Sequence, residues 1–153
     1  YIARRLIRIA TEDVGLADPN ALRVAVAAAQ AVEYLGMPEA DLALAEAAAY
    51  LALVPKSNAI YRAFEEAKAD VQRTVNEPVP LHLRNPVTKT MRALGYGEGY
   101  RYAHDYAEGV APMESLPPSL SGKEYYHPKE AGWESKIKER LEQLRRIIRG
   151  QNS

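Results

Sequence analysis

Gly95, Gly97 and Gly99 are the first residues to suggest chemistry, because closely spaced glycines can let backbone N–H groups cradle a phosphate. The spacing is G-x-G-x-G, with no strand pattern before it and no Lys-Ser/Thr after it. Neither the Walker A loop nor the dinucleotide fingerprint is met. Ser121-Gly122-Lys123 fails in the same way, being followed by Glu124. The glycines read instead as a tight turn over which tyrosines fold. The histidines are His82, His104 and His127, and no two have the i,i+3 or i,i+4 spacing that would put both on one helix face. His104-Asp105 reads as a hydrogen-bonding histidine with a fixed tautomer rather than a metal or hydrolytic site. No serine lies in a G-x-S-x-G elbow, and the chain has no cysteine, so thiolate metal sites and thiol catalysis are absent. No catalytic, cofactor-binding or metal-ligating residue is assigned.

Two groups of residues suggest binding. Arg4, Arg5 and Arg8 cluster near the start, and Lys136, Lys138, Arg140, Arg145, Arg146 and Arg149 lie near the end with glutamates interspersed. They read as a solvated face with cations suited to a helix C-terminus, or as contacts to DNA or an acidic partner. Tyr96, Tyr100, Tyr102 and Tyr106, with Arg101 among them, either pack with wetted hydroxyls or stack on single-stranded bases.

The elements that must position these residues follow from bulk properties and punctuation. The 153 residues fit one domain over 1–153, and the 47% hydrophobic content suffices for a core. Lys+Arg and Asp+Glu both total 20, a balance that argues against a dedicated nucleic-acid-binding domain. The arginines among Ile2, Leu6, Ile7 and Ile9 exclude a signal peptide. The longest apolar run, Leu42 to Val54, contains Glu46 and falls short of the roughly 18 residues of a membrane span. The chain opens without Met in a helical pattern, which suggests a fragment of something longer, cytoplasmic and without membrane contact.

The fold class is all-α, with a long irregular Gly/Pro/Tyr-rich segment before the last helix. Apolar spacing predicts a helix over 2–10, ended by Thr11 to Gly15. Asp18-Pro19 starts a second, which stops at Gly36. Pro38 with Glu39 and Asp41 starts a third, which Pro55 ends. Ser57 caps a fourth, from Asn58 to about Val75. The second and third helices are so rich in alanine that they are expected at the centre, buried on nearly every side, with the contacts made within one chain or partly between chains. The fourth reads as an ordinary surface helix with Ile60, Phe64, Ala67 and Val71 as its apolar stripe. A short helix over Val87 to Leu94 closes at Gly95, and residues 95–130 are irregular. The last helix runs from about Ala131 to Arg149 on a stripe of Ile137, Leu141, Leu144 and Ile148, with Glu134–Lys138 and Glu142–Arg146 as i,i+4 pairs.

Several segments together resemble a known family. They are Arg4 to Pro19, Gly36-Met37-Pro38-Glu39, Pro55-Lys56-Ser57-Asn58-Ala59, Leu83-Arg84-Asn85, Leu94-Gly95-Tyr96-Gly97, Gly99 to Asp105, and Tyr126-His127-Pro128. In this order and spacing the chain resembles the C-terminal domain of the RarA/MgsA family, clamp-loader-related AAA+ ATPases. The resemblance implies a compact helical domain like the clamp-loader collar, which joins the parent into a homotetramer. It implies a DNA-dependent ATPase acting in replication, recombination and repair at damaged forks, associated with the nucleoid, with other replication-fork proteins as partners. ATP and Mg would belong to an upstream module, so this segment carries no cofactor. The motif positions that transfer, without a role, are Pro55, Lys56, Ser57, Asn58, Gly95, Tyr96, Gly97, Tyr100, Tyr102 and His104.

Overall fold

A computed structural model describes residues 1–74 and 77–151. The fold is all-helical: α1 (Ile2–Ile9), α2 (Ala21–Leu35), α3 (Asp41–Leu53), α4 (Ala59–Arg73), α5 (Lys89–Ala93) and α6 (Trp133–Ile148). Contacts divide the chain into one unit of residues 1–68 and 125–138 and another of 69–124 and 139–153.

In the first unit, α1 does not stop where its pattern fades. It continues through a π-helical turn, Ala10–Val14, and a 3-10 turn, Gly15–Ala17. This extension sets Ala10 and Val14 into the core beside Leu6. Helix α2 begins two residues later than Asp18-Pro19 suggests. Asp18 accepts the Asn20 N–H at 2.9 Å, so it closes a turn ahead of the helix instead of capping it. Gly36, at φ +73°, ends α2. Helix α3 ends at Leu53, where Val54, extended because Pro55 follows it, cannot continue the helix. Tyr50 near the end of α3 donates to Asp18 at 2.6 Å, which pins α3 to the entry of α2.

The core is built from Leu6, Ala10, Val14, Ala21, Ala25, Ala28, Leu44, Ala47 and Leu51. Five of these nine are alanines, small enough to let helices approach closely. The expected all-round burial of α2 and α3 is corrected here. Each buries one stripe, Ala21, Ala25 and Ala28 on α2 and Leu44, Ala47 and Leu51 on α3, and leaves apolar residues outside. Leu42 is 78% exposed and Leu53 86%.

Helix α4 is turned the other way from expectation. Ala59, Ala63 and Asp70 are buried, while Ile60, Phe64 and Val71 face outward, Phe64 being 62% exposed. Alanines permit the close approach that the interior uses, and the larger stripe is left on the far side. The expected end of this helix at Val75 lies outside the described residues.

In the second unit, α5 is shorter than expected. Thr88 caps it by accepting the Met91 N–H at 3.2 Å, and Gly95 follows at φ +80°. The irregular stretch holds only 3-10 turns, Ala103–Asp105 and Pro118–Leu120, among the described residues. Glu114 organises it. Its carboxylate accepts N–H groups of Ser115, Leu116 and Gly122 at 2.8, 3.0 and 2.9 Å, and the Ser121 hydroxyl at 3.2 Å. Its carbonyl meets His82 Nε2 at 2.8 Å. These donors, the Leu116 N–H foremost, hold the Glu114 carboxyl below the usual carboxylate range. A lowered folded pKa stabilises the fold above the ordinary value of 4.5, and that contribution is lost as pH falls through the lowered value. Glu114→Gln is therefore expected to lower the melting temperature at neutral pH and to flatten its decline in acid. Melting curves from neutral to acidic pH, monitored by circular dichroism, would show equal slopes for both proteins if Glu114 were unimportant.

Candidate functional site

The Pro55-Lys56-Ser57-Asn58 sequence proves to be a junction in the first unit, and each residue has a physical task. Pro55 stops α3 as above. Lys56 Nζ donates to the carbonyls of Leu51 and Val54 at 2.7 and 2.9 Å, satisfying acceptors that the end of α3 leaves open. Ser57 is buried and accepts the Ala59 N–H at 3.2 Å at the start of α4. Asn58 Oδ1 accepts from Lys129 Nζ at 2.6 Å.

Ser57 also donates to Glu134 at 2.6 Å. Glu134 stands in the first turn of α6 and is wholly buried. Its carboxylate accepts the Tyr126 hydroxyl at 2.9 Å and the Lys129 N–H at 2.8 Å as well. A buried carboxylate is tolerable only when it is hydrogen-bonded, and here three donors converge on it. Burial first, and the neighbouring carboxylate second, hold the Tyr126 hydroxyl above its usual range, so it remains a donor. Two glycines let backbones close around the clamp. A Cβ at Gly15 would lie 2.7 Å from the Ser57 carbonyl, and one at Gly132 would collide with the Ala17 carbonyl. Sequence reasoning missed Glu134, assigning it to a surface pair with Lys138. Lys138 bonds Glu130 at 2.8 Å, while Glu134 turns inward. Gly132, a glycine two residues ahead, is the one local sign that something packs closely there.

In the second unit, Gly97 donates its N–H to the Leu81 carbonyl at 2.9 Å and packs on Pro86. Arg84 lies over the Tyr96 ring at 5.1 Å and donates to its hydroxyl at 3.2 Å. Gly95, Tyr96 and Gly97 thus form the expected turn, with Tyr96 folded down. Tyr100, Tyr102 and His104 do not pack inward. All three are exposed, and the Tyr102 and His104 rings lie 5.0 Å apart. Arg101 donates to the Pro112 carbonyl at 3.0 Å instead of lining a groove with them.

Three of the six arginines singled out lie in the first unit and three in the second. On α1, Arg8 pairs with Glu12, while Arg4 and Arg5 are exposed. On α6, Arg145 bonds Glu124 at 3.2 Å and Glu142 at 2.8 Å, and Arg149, just past its end, pairs with Glu124. The expected partner of Glu142 was Arg146, which is exposed; the i,i+3 neighbour Arg145 takes that place. Neutralised arginines have little charge left for phosphates. Among the described residues no group of three or more His, Asp or Glu is arranged to hold a metal ion, and no helix is long and apolar enough to cross a membrane.

A helical chain locked by a buried carboxylate, with its apolar residues shared between a small core and an outer surface, is an all-α domain. The family described as MgsA AAA+ ATPase C terminal matches residues 1–145, and the chain belongs to it. The chain is 49% identical over 96% of its length to a replication-associated recombination protein A of Coxiella burnetii, and 49% identical over 92% to one of Escherichia coli K12. It is 39% identical over 84% of its length to an ATPase WRNIP1 of Dictyostelium discoideum. These matches cover 34%, 32% and 15% of the relatives, so the chain spans about a third of their length or less.

Proposed function

We propose that this chain is the oligomerisation domain of a longer, DNA-dependent AAA+ ATPase, assembling it into a homotetramer that works in replication-fork maintenance, recombination and repair. ATP and magnesium would be bound by an upstream module, and DNA and other fork proteins would be met by the assembled protein in the cytoplasm, at the nucleoid. The single observation that carries the assembly role is the uncovered apolar surface of α3 and α4: Leu42, Leu53, Ile60, Phe64 and Val71. Closed symmetric assemblies bury large apolar residues that a single chain leaves in water. The names of the relatives support the replication and recombination setting.

The position of Phe64 gives the test. Phe64→Asp places a charge on an outward-facing side chain, so helicity by circular dichroism should be kept while the mass in sedimentation falls to a smaller species. Loss of helicity together with mass would assign Phe64 to the core and withdraw this surface from the proposal.

A second reading, contact with DNA or an acidic partner, draws on the exposed Tyr100, Tyr102 and His104 and on Arg4, Arg5 and Arg146, which make no ion pair among the described residues. It requires salt-sensitive binding to single-stranded DNA, and no binding at low salt would dispose of it.

A further inference from the structure

A recess of about 380 Å³ lies in the second unit, between the last turns of α6 and the turn Tyr106 to Gly109. Two glycines build its walls. Gly109, at φ +65°, closes the turn by donating its N–H to the Tyr106 carbonyl at 2.9 Å. Gly150, at φ +69°, ends α6 in the left-handed conformation and folds Gln151 back, so that the Gln151 N–H reaches the Arg146 carbonyl at 2.9 Å. Pro112 and Ile147 line the recess with apolar surface, and Tyr106, Gln143, Arg146 and Gln151 add polar groups. Its charge is positive. Glu108, the acid on its rim, is bonded by Arg140 at 2.7 Å, and the same Arg140 donates to Gln143 Oε1 at 2.9 Å. A guanidinium only donates, so Gln143 must turn its oxygen to Arg140, and it keeps its NH2 as a donor. Arg140 and Arg145 of α6 have acidic partners, whereas Arg146 makes no ion pair among the described residues. The carbonyls of Arg145, Ile147 and Arg146, which would repel an anion at this end of α6, accept the N–H groups of Arg149, Gly150 and Gln151 at 3.0, 2.9 and 2.9 Å.

We infer that this recess takes one nucleotide, with its phosphate on the Arg146 guanidinium and its base against the Tyr106 ring. The guanidinium fork matches two phosphate oxygens. A base stacks on a phenol ring whatever its sequence, and its polar edge carries the donors and acceptors that the amides of Gln143 and Gln151 can meet. An apolar or acidic side chain of a protein partner would cover those amides without satisfying them. The nucleotide is a unit of single-stranded DNA or a free nucleotide, which carries the same chemistry. This deepens the reading of contact with DNA, and rests on it for DNA as the source.

Fluorescence anisotropy of a labelled oligodeoxythymidine with the full chain at low salt tests this. Arg146→Ala should weaken binding about tenfold, by the loss of a charge-assisted contact. Arg23→Ala, exposed on α2 in the first unit, should leave it unchanged. A strand of the same length and charge, with abasic sites in place of the thymidines, should bind the parent chain about tenfold more weakly, a comparison that needs no variant to fold. Equilibrium dialysis with thymidine monophosphate tests the free nucleotide. An abasic strand bound as tightly as the thymidine strand, or Arg146→Ala binding as tightly as the parent, overturns the inference and leaves contact with DNA standing. A chain that binds the monophosphate but no strand keeps the nucleotide site and withdraws DNA as its source. Binding of neither overturns both.

Discussion

Replacing Glu134 by alanine is expected to destabilise the chain by about 3 kcal/mol or more, since each donor left without its acceptor away from water costs about 1–3 kcal/mol. Ser57, Tyr126 and the Lys129 N–H all end on this carboxylate. Its loss leaves three donors without their acceptor. Glu134→Gln keeps the volume and one acceptor oxygen but brings an amide NH2 up to groups that are themselves donors. It should cost less than alanine, about 1–3 kcal/mol, by the loss of charge-assisted bonds. Urea unfolding of the three proteins checks the order. Equal midpoints for Glu134→Ala and the parent chain would remove the clamp from the account.

Gly132→Ala should be comparably severe, and Gly36→Ala is its control. Both glycines have positive φ, +54° and +73°, where a Cβ costs about 1–3 kcal/mol of backbone strain. Nothing lies within 4 Å of a Cβ at Gly36. At Gly132 the new methyl meets the Ala17 carbonyl and comes within 3.1 Å of Pro55 Cγ, so backbone must move. The difference between the two is expected to be about 2 kcal/mol or more, since overpacking against rigid neighbours typically adds 1–3 kcal/mol. Thermal melts that place both variants together would mean that the loop before α6 yields easily.

The helix order was readable in the sequence because Gly36, Pro38, Pro55 and Gly95 punctuate it, and each acts through its own backbone. The sidedness of α4 was not. Periodicity locates a stripe of large residues but cannot say whether alanines at Ala59 and Ala63 will claim the interior instead. The buried role of Glu134 was hidden for a related reason. A glutamate four residues before a lysine satisfies the rule for a surface pair, and the groups that draw it inward, Ser57 and Tyr126, are 77 and 8 residues away. The motif Pro55-Lys56-Ser57-Asn58 was visible as a pattern, and its task became clear only when the carbonyls of α3 and the side chain of Lys129 were placed beside it. The basic termini were legible as charge, but not that Arg8 pairs with Glu12, Arg145 with Glu124 and Glu142, and Arg149 with Glu124.

The claim on which the rest depends is that the uncovered faces of α3 and α4 are covered by further copies of this chain. Multi-angle light scattering of the purified chain across a wide concentration range measures this most directly. The account predicts a mass of four chains, falling through a dimer on dilution and insensitive to salt, because the faces are apolar. A mass of one chain at every concentration would contradict it.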